Sequence, residues 1–99
     1  MSTVNLAEVM TIALRNYGAR PALLEPRILK LGIEVFEFTI ADAVAVADLW
    51  PETKPQGLSL GDRACLALGK RLGVKVLTAE RARDWRGLRL KGIEVERIR

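Results

Sequence analysis

Histidine is absent from this 99-residue chain, and cysteine occurs once, at Cys65. These two shortages exclude histidine general acids and bases, Ser-His-Asp and Cys-His nucleophilic systems, cysteine or histidine metal clusters and an intramolecular disulfide. Aromatic residues make up 5% of the chain, too few for a single-strand-binding surface built from stacked rings. No apolar run is long enough to span a bilayer: the longest apolar stretch, Ile40 to Trp50, is broken by Asp42 and Asp48. No basic leader precedes an apolar segment at the start, so no secretory signal is read, and the expected location is the cytoplasm. Against these absences, 49% of the residues are hydrophobic and 28% charged, the balance of a folded domain rather than a disordered tail. The length fits one domain, residues 1–99. Whatever chemistry the chain performs must come from carboxylates, lysine, arginine or hydroxyls.

The net charge of +4 is unevenly spread. Residues 1–62 hold five Lys and Arg against eight Asp and Glu, a balance of −3. Residues 63–99 hold eleven basic residues against four acidic ones, a balance of +7. A basic final third beside an acidic beginning points to a polyanionic partner such as nucleic acid, although a solvated arginine face gives the same count.

The chain contains no internal repeat. Leu6, Val9, Met10, Ala13, Leu14 and Tyr17 share one face of a helix that Gly18 ends. A second helix fits Ala22 to Leu31. Ile33 to Thr39, β-branched and aromatic, reads as a strand. Ile40, Ala43, Val44 and Ala47 form the apolar face of a third helix that closes at Trp50-Pro51, and Pro51 to Leu58 reads as a loop. Ser59 then opens a long helix with Leu60, Ala64, Ala67, Leu68 and Leu72 on its core face. Strands are expected at Val74–Thr78 and Ile93–Ile98, with a helical turn between Arg81 and Trp85. This alternation predicts an α/β domain with a mostly parallel sheet. Three short strands make a thin sheet, and the chain starts almost inside a helix, so the pattern is that of an α/β domain lacking an N-terminal strand and helix of roughly thirty residues or more.

Three segments set an acid within a turn of a capping residue: Asn5-Leu-Ala-Glu8, Ser59-Leu-Gly-Asp62 and Thr78-Ala-Glu80. Taken singly, each is a helix cap. Taken together in a parallel α/β sheet, helix starts that follow strands gather at the carboxyl edge, where ligand sites form. Carboxylates meeting there without imidazole or thiol suit a hard cation such as Mg²⁺ or Mn²⁺. Cys65 reads as a small buried apolar residue, and Trp50 and Trp85 as packing beside loops.

The stretches Ser2 to Val9, Gly57-Leu-Ser-Leu-Gly-Asp-Arg-Ala-Cys-Leu-Ala-Leu68 and Val76-Leu-Thr-Ala-Glu80 resemble, in order and spacing, consecutive motifs of the PIN-domain ribonucleases, above all the VapC-type toxins of toxin–antitoxin pairs. The resemblance implies a three-layer α/β/α sandwich and an endoribonuclease dependent on Mg²⁺ or Mn²⁺. It also implies an RNA substrate of the tRNA or rRNA class, a cognate antitoxin and a homodimer, with no membrane partner. Glu8 matches the family's second acid, Asp62 its third, and Glu80 the position more often held by aspartate. These three are the expected catalytic and metal-holding residues, and Asp84 is a candidate to replace or assist Glu80. Arg63, Arg81, Arg83 and Arg86 are the candidate RNA contacts. The family's first acid, an aspartate ending the first strand, has no counterpart here, so residues 1–99 read as roughly the last three-quarters of a full domain. The alternative reading is therefore a catalytically silent fragment that self-associates or binds an antitoxin.

Overall fold

Two helices and an extended segment make up residues 1–38, the first of two compact units into which the chain divides; the second is residues 39–99. The computed structural model describes residues 1–73, 76–78 and 95–97.

In the first unit, helix α1 spans Thr3–Tyr17 and α2 spans Pro21–Lys30. The stop expected for α1 is present: Gly18 takes a left-handed conformation (φ 68°), and its N–H closes on the Leu14 carbonyl at 3.0 Å. Its start differs from expectation. The N-cap is Ser2, whose hydroxyl accepts the Val4 N–H at 3.2 Å, so Asn5 and Glu8 lie inside the helix and neither caps it. Ser2 is the residue that can cap because its backbone is held extended by pairing with Phe36. Helix α2 begins at Pro21, where a missing N–H is harmless in the first turn.

The strand expected over Ile33 to Thr39 reduces to a single parallel bridge between Ser2 and Phe36. Thr3 N donates to Phe36 O at 3.0 Å and Phe36 N to Met1 O at 2.8 Å, while Phe38 N donates to the Thr3 hydroxyl at 3.1 Å. β-branched and aromatic side chains favour a pleated surface, but a ladder needs backbone partners. Among the described residues only 1–3 supply them.

The second unit is built on two helices, α3 (Ile40–Asp48) and α5 (Leu60–Leu72), joined by the single-turn α4 (Trp50–Thr53) and a 3-10 turn, Lys54–Gln56. The chain does not leave the helical region at Trp50-Pro51, as the proline suggests: α3 ends at Asp48, its C-cap Leu49 keeps right-handed helical angles, and Pro51 sits in the first turn of α4. The expected loop from Pro51 is accordingly helical as far as Gln56. Asp42, near the start of α3, pairs with Arg71, near the end of α5, while Val46 meets Arg63 at the start of α5. The two helices therefore run in opposite directions.

Helix α3 buries a face other than the one its apolar spacing selects, whereas α5 buries Ala64, Ala67 and Leu68 of its expected core face and leaves Leu60 and Leu72 exposed. On α3 the buried residues are Asp42 and Val46, with Leu49 just beyond, whereas Ile40 is 87% and Val44 58% exposed. Asp42 turns inward because its charge finds Arg71 there, with Nε–Oδ1 3.1 Å apart. On α5 the buried set is Gly61, Ala64, Leu66, Ala67, Leu68 and Gly69; Leu60 is 53% exposed, and Leu72 is also exposed. Trp50 is half exposed rather than packed, with Lys54 Nζ 4.9 Å above its ring. Cys65 is half-buried.

After Gly73, strands β1 (Val76–Thr78) and β2 (Val95–Arg97) pair in parallel, Val76 opposite Val95 and Thr78 opposite Arg97. Both lie inside the expected strands. Two three-residue strands define neither a mostly parallel sheet nor a three-layer sandwich, and the described structure is dominated by helices. Among the described residues no helix is long and apolar enough to cross a membrane.

Candidate functional site

Asp62 is positioned by the start of α5. Ser59 is the N-cap, and the two residues form a reciprocal capping box: Asp62 N donates to Ser59 Oγ at 3.2 Å, and Ser59 N donates to Asp62 Oδ2 at 2.9 Å. The box fixes the carboxylate in a half-buried position and engages one of its oxygens. Among the described residues Oδ1 takes no hydrogen bond. Removing the cap in Ser59→Ala is expected to lower stability by about 0.5–2 kcal/mol, read as a shifted midpoint in urea unfolding with an unchanged slope.

A second box with the same chemistry opens α3. Thr39 N donates to Asp42 Oδ2 at 2.9 Å and Asp42 N to Thr39 Oγ1 at 3.1 Å. Here the other oxygen, Oδ1, is taken by Arg71. The same local motif thus has two fates. Asp42 has both carboxylate oxygens committed inside the protein; Asp62 has one that takes no hydrogen bond among the described residues. The Thr39-x-x-Asp42 spacing is a capping signal that the three segments singled out from the sequence did not include, and the arginine that occupies the second oxygen lies 29 positions away.

Arg63, expected at phosphate, points elsewhere. Its Nη1 donates to the Val46 carbonyl at 3.2 Å, and its Nε is buried without a hydrogen-bond partner among the described residues. This guanidinium ties the first turn of α5 to α3, directly beside Asp62. Glu8 lies in the first unit, in the second turn of α1, exposed, with Oε1 accepting from Asn5 Nδ2 at 3.3 Å. Thr78 is the last residue of β1. Glu80, Arg81, Arg83, Asp84, Trp85 and Arg86 lie outside the described residues. Among the described residues no three acidic, histidine or cysteine side chains come close enough together to hold a metal ion.

The donors that are described fit a hard cation. They are carboxylate oxygens, each with one atom outside its local hydrogen bond, in a chain without imidazole and with a single thiol. The chain belongs to the PIN domain family, whose model matches residues 1–85. That membership indicates a nuclease-type function, and PIN domains generally use divalent metal ions. Comparison with curated proteins finds no match, and neither does comparison with solved structures.

Proposed function

We propose that the protein is a VapC-type toxin: an endoribonuclease that cleaves RNA phosphodiester bonds and depends on Mg²⁺ or Mn²⁺. The observation that carries this reading is the capped Asp62 carboxylate with Oδ1 unengaged, inside the matched family region. Glu8, Asp62 and Glu80 would hold the metal. When bound, it would polarise the scissile phosphate and lower the pKa of the attacking water, which makes histidine unnecessary. The capping box holds Asp62 in one rotamer, so little side-chain freedom is lost when a ligand binds. Arg63 keeps the start of α5 against α3, and Arg81, Arg83 and Arg86 bind the RNA backbone, in keeping with the +7 balance of residues 63–99.

A cognate antitoxin and a homodimer belong to the same reading, as does a cytoplasmic location. The first unit supports a helical partner of this kind. Val9, Ile12, Tyr17, Leu23 and Leu31 are exposed on it.

Metal binding is tested without any substrate. Gathered carboxylates repel one another, and a cation relieves that repulsion. Millimolar Mn²⁺ is therefore expected to raise the melting temperature of the wild-type chain by several degrees, and EDTA to reverse the gain, as for any ligand that binds only the folded state. A melting temperature indifferent to Mn²⁺ and Mg²⁺ counts against the site.

A further inference from the structure

The −3 balance of residues 1–62 hides two unlike parts. Residues 15–30 hold Arg15, Arg20, Arg27 and Lys30 against Glu25, a balance of +3, while the remaining positions hold Lys54 against seven acids, a balance of −6. Every lysine and arginine of the first unit is therefore gathered where α1 turns into α2. All four are exposed, and none makes an ion pair among the described residues.

This corner has a shape as well as a charge. A depression of about 290 Å³ is lined by Gly18, Ala19 and Arg20 of the connection and by Leu23, Leu24 and Arg27 of α2. Arg20 and Arg27 stand two helical turns apart and share one side of α2, with the two leucines between them. The one acid of the segment, Glu25, is not part of the lining. Tyr17, which ends α1 just before the connection, is 84% exposed, and it has no hydrogen bond or ring contact among the described residues.

Two unpaired guanidiniums thus flank an apolar floor beside a bare aromatic ring. A purely apolar occupant would strip water from both cations without pairing either, which is costly. A polyanion that also carries flat apolar groups suits all the parts. Phosphates take the forked guanidiniums, and an unpaired base stacks on the tyrosine. One ring holds one base, so the small aromatic content is no obstacle. We propose that the α1–α2 corner is a second RNA contact, in which Arg20 and Arg27 hold backbone phosphates and Tyr17 stacks on an unpaired base. The identity of the polyanion rests on the ribonuclease reading above, whereas the contact needs neither metal, Asp62 nor the arginines of residues 81–86. Binding and cleavage are therefore measured apart.

Fluorescence anisotropy of a labelled RNA hairpin with an unpaired loop, titrated with the full chain in EDTA at several salt concentrations, reads binding alone. Arg20→Ala/Arg27→Ala is expected to weaken binding about tenfold and to lower the slope of log Kd against log salt by about 1.4, roughly 0.7 for each lost phosphate contact. Arg20→Lys/Arg27→Lys keeps the charge and is expected to keep the slope. Tyr17→Ala is expected to weaken binding about fivefold with the slope unchanged, and Tyr17→Phe to bind as wild type. These side chains are all exposed, so each variant should melt with wild type. With Mn²⁺ present, Arg20→Ala/Arg27→Ala is expected to raise KM about tenfold and to leave kcat unchanged, as for a contact made equally in ground and transition states. A wild-type chain that does not bind the hairpin in EDTA overturns the proposal, as does a salt slope unmoved by Arg20→Ala/Arg27→Ala. So does a double variant that binds RNA normally but loses a protein partner, which makes the corner a protein site. Cleavage that still requires metal and Asp62 in those cases leaves the nuclease reading standing; RNA held at the corner by a chain that cleaves nothing removes that reading and keeps this one.

Discussion

Asp62→Asn is expected to lower metal-dependent RNA cleavage by about 10²–10³-fold while leaving the fold nearly as stable as wild type. The two effects separate because the carboxylate does two jobs with two oxygens. Toward the helix, Oδ2 accepts the Ser59 N–H, and an asparagine carbonyl accepts the same bond, so the loss of cap is expected to stay within about 1 kcal/mol. Toward a ligand, the neutral amide removes the charge that attracts a divalent cation. The melting-temperature gain from Mn²⁺ should fall with the activity. Cleavage of a labelled structured RNA by wild type and Asp62→Asn, purified in parallel, measures the difference. Equal cleavage by the two points to a contaminating nuclease and removes Asp62 from the site.

The largest loss of stability is expected from Leu66→Ala. Leu66 has no exposed surface, and truncating such a side chain removes both its transfer free energy and its packing partners, about 2–5 kcal/mol. For a domain of this size each kcal/mol shifts the melting temperature by roughly 4–8 °C, so the variant should melt well below wild type. Leu60→Ala provides the contrast. Its side chain is half in water, and the change is expected to stay within about 0.5 kcal/mol. Urea unfolding of the two variants decides whether the core side of α5 includes Leu66, as the structure has it, or Leu60, as its apolar spacing has it. A Leu60→Ala penalty matching that of Leu66→Ala would favour the latter.

Local signals were read well where one residue type has one physical use. Gly18 stops α1 because it alone adopts a positive φ without strain. Ser59 and Asp62 cap α5 because the hydroxyl and carboxylate reach two unpaired backbone N–H groups within a single turn. The order of motifs around Asp62 was sufficient to indicate the PIN family, which the match over residues 1–85 establishes. Signals that depend on a distant partner were read less well. The segment 33–39 has strand chemistry, but only Phe36 finds a bridge partner. Asn5 and Ser2 are both competent caps, and the choice between them is made by backbone pairing with Phe36. Arg63 stands next to the candidate metal ligand in sequence, yet its side chain leaves for the Val46 carbonyl.

By itself, then, the sequence determined where helix α1 stops and where α5 starts, the exclusion of histidine and thiol chemistry, the family, and Asp62 as an acid held at a helix start. Only the tertiary structure decided which face of α3 is buried, that Leu66 rather than Leu60 lies in the core of α5, that Asp42 is consumed by Arg71 while Asp62 has an oxygen without a hydrogen bond among the described residues, and that Ile40 and Val44 are left in water. The reason is one of range. Caps and stops are settled by groups within one helical turn, whereas the inward face of a helix and the fate of a carboxylate depend on residues that only folding brings alongside.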